Sequence, residues 1–173
     1  MSKLCRVLVV GLLLVSMSCQ RFKGDGSFVD NGCTAATDRY VVSLPAADLT
    51  SKTKYVYRMS GLPETEMTIR LTVVSNNSDS RSNIAQTRPI NAPVRIAVTN
   101  GRGEIVFDAQ GPLREWVWSF MSPNQAFVYS KGGKNYFKPR SNEEYRITVE
   151  VIEGVANAKD FHITPQVTGG GWY

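Results

Sequence analysis

The sequence has little of what most catalytic or metal sites require. His162 is its single histidine, and it has three cysteines. A Ser-His-Asp or Cys-His system would have to use that imidazole, and a zinc site would lack its usual three or four ligands. His162 lies between Phe161 and Ile163 on a predicted strand and faces away from both, which indicates a solvent-facing residue. We therefore expect no metal, no cofactor and no enzymatic activity.

The chain also lacks a strong excess of one charge. Its 173 residues carry a net charge of +5, and charged residues make up 20% of the total. Nucleic-acid binding needs a dense stripe of lysine and arginine, which this composition does not supply. With 42% hydrophobic residues, the chain can bury the core of one domain. These totals predict a globular domain with no nucleic-acid partner.

Long apolar runs are absent as well. The run over residues 7–15 is far below the roughly 20 residues that span a bilayer. Lys3 and Arg6 precede this run, and Ser16 and Ser18 follow it. A charged start, a short apolar centre and a small-residue exit are typical of a secretory signal peptide. We predict that residues 1–18 are removed on export, which takes away two cations and lowers the net charge to +3.

The stretch VSMSC over residues 15–19 resembles the lipobox of bacterial lipoproteins. The resemblance covers only the leader. It implies that Cys19 is diacylated and becomes the mature N-terminus, and that Gln20 favours the outer membrane in a Gram-negative host. Several acyl chains give lasting anchorage, because each buried CH₂ contributes about 0.8 kcal/mol. The expected location is the cell envelope, with the domain facing the periplasm or the cell surface.

Loss of the leader removes Cys5 and leaves two cysteines, Cys19 and Cys33. If Cys19 is acylated, Cys33 is a lone thiol in an oxidising compartment. If Cys19 is not acylated, a Cys19–Cys33 disulfide can close a small loop. The resemblance favours acylation, and both states remain open at this point.

Residues 19–37 are polar and rich in glycine, a composition typical of linkers. We predict that they form a flexible tether between the lipid and a folded domain at residues 38–173.

That domain is dominated by alternation of apolar and polar residues, as in strands with one buried face. Residues 145–151 show it most clearly, and residues 93–108 predict a β-hairpin around the turn NGRG at 100–103. The alternation also covers residues 40–44, 55–59, 67–73, 126–129 and 161–163. Eight or nine short strands predict an all-β fold, an antiparallel β-sandwich of jelly-roll or immunoglobulin-like type.

Residues 112–121 fit two structures. Leu113, Trp116 and Phe120 have helical spacing between Pro112 and Pro123. The aromatic and β-branched content of the same segment favours a strand. We predict a strand, because the neighbouring segments are strands.

Aromatic residues are the feature with most functional promise. Trp116, Trp118, Tyr136 and Trp172 fall in the second half of the chain, among lysines and Arg140. Exposed rings can stack on sugars or anchor a protein partner. The competing interpretation is that most of them pack in the core, since rings dominate the interior of such domains.

We therefore interpret the chain as a non-enzymatic, lipid-anchored envelope protein whose β-sandwich is a binding or assembly module. One alternative is a carbohydrate-binding module that uses exposed aromatic rings. Another is an accessory lipoprotein of a secretion or envelope machine. The expected partners are the membrane, through the lipid, and an envelope protein or a glycan.

Overall fold

The computed structural model describes residues 22–31, 40–75, 90–122, 125–130, 136–140 and 142–169. Within these ranges the chain forms eleven β-strands and two short 3-10 helices, Leu113–Glu115 and Ala156–Asp160. No helix in this part of the chain is long and apolar enough to cross a membrane. The predicted signal peptide, Cys19 and Cys33 lie outside the described residues.

The strands form two antiparallel sheets. The strand bounds are β1 Lys23–Gly24, β2 Ser27–Asn31, β3 Tyr40–Ser43, β4 Thr53–Ser60, β5 Met67–Ser75, β6 Pro93–Asn100, β7 Ile105–Pro112, β8 Val117–Ser122, β9 Gln125–Tyr129, β10 Glu144–Val151 and β11 Phe161–Gly169. The first sheet has the order β1-β4-β10-β6-β7, and the second has the order β2-β3-β11-β5-β9-β8.

The pairing is nested. Strand β3 pairs with β11, β4 with β10, β5 with β9, and β6 with β7, all antiparallel. Successive pairs alternate between the sheets: β3–β11 and β5–β9 lie in the second sheet, and β4–β10 and β6–β7 lie in the first, so the chain passes repeatedly across the sandwich. Such a folded-over ribbon is the jelly-roll arrangement, in which two Greek keys form two facing sheets. The all-β sandwich prediction is confirmed, and the strand order selects the jelly roll.

The core lies between the inward faces of the two sheets. Val94, Ile96 and Val98 on β6 are fully buried, and Ile69, Leu71 and Val73 on β5 face them from the other sheet. Every second residue of these strands is apolar because successive side chains point to opposite faces. The same alternation was visible in the sequence, so the predicted core strands are confirmed.

The hairpin predicted over residues 93–108 is present as β6 and β7. Asn100 closes its turn, because the side-chain Oδ1 accepts hydrogen bonds from the backbone N–H of Arg102 at 3.1 Å and of Glu104 at 3.0 Å. Gly103 has φ of +82°, a conformation that glycine adopts without steric cost. Local turn chemistry thus explains why this hairpin could be predicted.

The ambiguous segment at 112–121 contains both predicted structures. A single 3-10 turn covers Leu113–Glu115, and strand β8 follows from Val117. The preference for a strand is confirmed for the larger part of the segment. Strand β8 forms the edge of the second sheet, where it pairs with β9.

The predicted tether is wrong for residues 22–31. Strand β1 pairs with β4, and β2 pairs with β3, so this segment joins an edge of each sheet. Asp25 fixes the crossing, since its N–H donates to the Arg58 carbonyl at 2.8 Å and its carboxylate accepts the Arg58 N–H at 2.7 Å. Gly24 has φ of +138°, and a Cβ there would collide with the Arg58 backbone. The glycines therefore permit close pairing rather than flexibility.

Candidate functional site

The two tryptophans predicted to bind a ligand do not reach the surface. Trp116 is 5% exposed and Trp118 is 9% exposed, and both belong to the core cluster. The Trp118 indole N–H donates to the Leu113 carbonyl at 2.9 Å, so its polar atom is also satisfied inside the protein. Their burial argues against the predicted role in a binding site. Alternation along β8 turns Trp118 inward, and Trp116 lies just before β8, at the end of the 3-10 turn, with its ring in the same core cluster.

The other two predicted rings differ in position. Tyr136 is 59% exposed, beside the buried Phe137. Trp172 lies outside the described residues. Of the three predicted rings that the structure describes, only Tyr136 is exposed, so these three form no shared aromatic platform at the surface.

His162 is exposed on β11, opposite the buried Ile163, which confirms its prediction as a solvent-facing strand residue. Within the described ranges, no three His, Cys, Asp or Glu side chains are grouped so that they could hold a metal ion.

A different cluster stands out on the outward face of the second sheet. Arg70 on β5 is only 3% exposed although it points away from the core. Its Nε donates to Gln166 Oε1 on β11 at 2.9 Å, and its Nη1 donates to the Tyr129 hydroxyl on β9 at 3.3 Å. A buried guanidinium is costly unless it is hydrogen-bonded, so these contacts hold it in place across three strands.

The Phe127 ring also contacts the Arg70 guanidinium. The Arg70 Cζ lies 3.7 Å from the Phe127 ring centroid, which is the geometry of a cation–π contact.

Strand register places Ser43, Gln166, Arg70 and Tyr129 in one row across the sheet. A second row contains Thr164, Thr72 and Phe127. We call these seven residues the Arg70 face.

Thr72 is the unusual member of the Arg70 face. It is 7% exposed, and its hydroxyl has no hydrogen-bond partner among the described residues. A buried hydroxyl left unpaired costs roughly 1–3 kcal/mol, so native proteins rarely retain one without a reason. The hydroxyl is covered by its neighbours, so a ligand group could complete its hydrogen bonding only once those side chains move aside.

The outward face of the first sheet is built differently. Arg95 on β6 forms a bidentate ion pair with Asp108 on β7, with both hydrogen bonds at 2.9 Å. The hydrogen bonds from Arg95 lower the pKa of Asp108 below its usual value. Both side chains are substantially exposed, so this pair is an ordinary solvated ion pair.

Two tyrosines of the first sheet have strongly shifted titration. Burial raises the pKa of Tyr57 to about 12, and its hydroxyl donates to the Pro45 carbonyl at 3.0 Å. Burial and the hydrogen bond to Glu143 raise the pKa of Tyr145 to about 12. Both phenols therefore stay protonated at neutral pH and act as structural hydrogen-bonding groups.

Most residues of the Arg70 face carry no signal in the sequence that singles them out. Arg70, Thr72, Thr164 and Gln166 occupy polar positions of the alternation, where they look like any solvent-facing residue. One signal was present: the polar positions of β5 and β11 are rich in threonine and poor in charge, whereas those of β10 carry charge at three positions.

No family model matches the chain, and no curated protein matches it. Several solved structures align with most of this chain. A protein from Sulfurospirillum deleyianum aligns with 77% of this chain and 98% of its own, at 7% identity and a TM-score of 0.49.

Two similar structures are described as carbohydrate-binding. A family 35 carbohydrate binding module from an environmental isolate aligns over 91% of this chain and 96% of its own, at 9% identity and a TM-score of 0.34. The N-terminal cellulose-binding domain of a Cellulomonas fimi β-1,4-glucanase aligns over 88% and 90%, at 11% identity and a TM-score of 0.27. The jelly-roll arrangement of this chain follows from its own strand order.

Proposed function

We propose that the protein is a non-enzymatic, lipid-anchored protein of the bacterial cell envelope, and that its β-sandwich binds a glycan through the Arg70 face. The unpaired, buried Thr72 hydroxyl on an outward sheet face is the observation that carries the binding assignment.

The anchor is supported by the leader. Residues 1–18 have the order of a secretory signal peptide, and Cys19 ends a lipobox-like stretch. The intact mass of protein extracted from the membranes of an exporting bacterium tests it. A mass of the chain from Cys19 onward plus a diacylglyceryl group is expected. An unmodified chain lighter by two hydrogens, with a Cys19–Cys33 disulfide, would contradict the anchor.

The chemistry of the Arg70 face favours a neutral, hydroxyl-rich ligand. Ser43, Thr72 and Thr164 offer hydroxyls, and Tyr129 and Phe127 are partly exposed rings. Sugar hydroxyls can donate to and accept from such groups, while the apolar side of a sugar ring can stack on an aromatic face. On the described strands β3, β5, β9 and β11, Arg70 and His162 are the only outward basic side chains, and no outward side chain there is acidic. The face therefore suits recognition by hydrogen bonding more than by charge.

The experiment is a screen of the leaderless domain on an oligosaccharide array, followed by calorimetry on the retained glycans. Thr72→Val keeps the side-chain shape and removes the hydroxyl that the ligand would engage. Loss of one such hydrogen bond is worth about 1 kcal/mol, so we expect affinity to fall about fivefold to tenfold. Thr148→Val, on the outward face of the first sheet, is the matched control and should leave affinity unchanged.

Equal affinity in wild type and Thr72→Val would contradict the glycan site on this face. An array without any retained glycan, together with specific cross-linking to envelope proteins, would favour an assembly module instead.

A further inference from the structure

The chain between the proposed lipid and the folded domain is very short. Phe22 already packs against the core, and Lys23 pairs with Ser60 at the end of β4. From Cys19 to Phe22 there are three Cα–Cα steps, which reach about 11 Å at most. Strand β4, with eight residues, is roughly 27 Å long. An acylated Cys19 would therefore hold the sandwich directly against the bilayer, with no room for it to stand away.

The strand register identifies which end of the sandwich would meet the lipid. In the first sheet Ser60 pairs with Glu144, and the neighbouring Tyr145 pairs with Asn100. In the second sheet Met67 pairs with both Phe137 and Gly169. We call this the proximal end. It comprises the start of β1, the turn at residues 101–104, the loop at residues 61–66, and residues 136–140.

The segment at residues 136–140 is fixed at the proximal end and presents alternate side chains outward. Phe137 and Pro139 are buried, whereas Tyr136, Lys138 and Arg140 are exposed. The Phe137 backbone exchanges hydrogen bonds of 2.8 Å with Met67, which holds the segment against β5. A tyrosine followed by two cations at alternate, exposed positions suits the membrane interface, where phenols and long basic side chains are enriched.

Charge at the proximal end is mixed. Arg102 lies within 3.2 Å of Glu104 and 4.0 Å of Glu143, and Glu64 and Glu66 are exposed on the neighbouring loop. Because both signs occur, a contact here would depend on the acyl anchor and on interfacial side chains, not on anionic lipids. Zwitterionic vesicles are therefore a sufficient partner.

We propose that the proximal end rests on the lipid headgroup surface, with Tyr136 in the interfacial layer. This inference rests on the acylation of Cys19 proposed above. Arg70 lies three residues from Met67 along β5, so the Arg70 face stands about 10 Å above that end. The β-sandwich would then bind its ligand close to the membrane, on a lateral face of the domain.

Photo-cross-linking of the full-length lipoprotein tests this contact. Tyr136 is replaced by p-benzoylphenylalanine, and the purified protein is reconstituted in phosphatidylcholine vesicles and irradiated. The matched control places the same group at Lys159, which is exposed in the 3-10 helix between β10 and β11, at the opposite end of the sandwich. We expect phospholipid adducts by intact mass at position 136 and none at position 159.

The same mass spectra separate the two proposals. An acylated protein without lipid adducts at position 136, or with equal adducts at both positions, would overturn the membrane contact and leave the anchor standing. A protein without acyl chains would overturn both.

Discussion

The two sheets have similar inward faces and different outward faces. On the first sheet the outward side chains include the exposed Arg95–Asp108 pair, and charge of both signs occurs along β4 and β10. On the second sheet the Arg70 face is largely uncharged, and three of its four positions on β5 and β11 are buried, namely Arg70, Thr72 and Gln166. Arg95 and Arg70 each donate a hydrogen bond through Nε at 2.9 Å. Arg95 is partly exposed to water and Arg70 is buried, so the two arginines can be compared directly.

Solubility explains the charged outward face of the first sheet, whereas the buried polar groups on the outward face of the second sheet need a different explanation. A charged, solvated sheet face keeps a protein soluble at little cost in free energy. A buried guanidinium beside an unpaired hydroxyl costs free energy, and local departures of this kind concentrate at functional sites. The second sheet is therefore where we expect recognition.

We expect the largest losses of stability from substitutions on the inward faces, and losses of similar size in the two sheets. Trp118→Ala in the second sheet and Phe107→Ala in the first each remove a buried ring from the common core. We expect each to lower the free energy of unfolding by about 3–5 kcal/mol in urea titrations. A Trp118→Ala protein as stable as wild type would mean that this ring is not core, and would restore it as a ligand candidate.

The two arginines should respond very differently. Arg70→Ala removes a buried charge-assisted network and leaves Gln166 and Tyr129 without that partner, so we expect a loss of about 2–4 kcal/mol. Arg95→Ala breaks an exposed ion pair and should cost under about 1 kcal/mol. The urea midpoints of both variants measure this, and equal losses would remove the distinction between the faces.

Alkaline pH should lower the stability of the protein through two buried tyrosines of the first sheet. The pKa values of Tyr57 and Tyr145 are raised to about 12 in the folded protein, against about 10 when unfolded. Their contribution to stability is complete below about pH 10 and is lost as the pH rises towards 12. Urea midpoints should therefore decline over that interval.

Tyr145→Phe is the control for this titration, because it removes one of the two phenols. Its decline between pH 10 and pH 12 should be shallower than that of wild type. An unchanged slope would show that the Tyr145 hydroxyl is not protected from deprotonation in the folded state.

We expect the smallest changes in stability from two threonine substitutions. Thr72→Val removes an unpaired buried hydroxyl, so the ligand-free protein should be as stable as wild type or up to about 1 kcal/mol more stable. Thr148→Val, at a partly exposed position of β10, should change stability little. A clear loss of stability in Thr72→Val alone would indicate that the hydroxyl is already satisfied inside the protein.

Periodicity made most of the fold predictable. Strands such as β6 and β10 alternate strictly between buried and more exposed side chains, because one face of each is in the core. Strands β1 and β2 were not predictable from alternation, since they lie at sheet edges and their glycine-rich sequence resembles a linker. Their pairing depends on contacts such as Gly24 against Arg58, which are 34 residues apart in the chain.

The candidate site was less predictable for a related reason. Gln166 and Arg70 meet across 96 residues of sequence, and only the pairing of β5 with β11 brings them together. In the case of Trp116 and Trp118, composition permitted both burial and exposure. The register of β8 turns Trp118 inward, and the 3-10 turn before β8 places Trp116 in the core. Residue type suggested aromatic recognition, whereas the geometry favours a polar face with rings at its edge.

Chemical-shift mapping tests the central claim most directly. The ¹⁵N-labelled mature chain, without its lipid, is titrated with an oligosaccharide retained on the array. The account predicts shifts concentrated in the amides of β5, β9 and β11 around Arg70, with β4, β6 and β10 unaffected. Shifts centred on the outward face of the first sheet would contradict it.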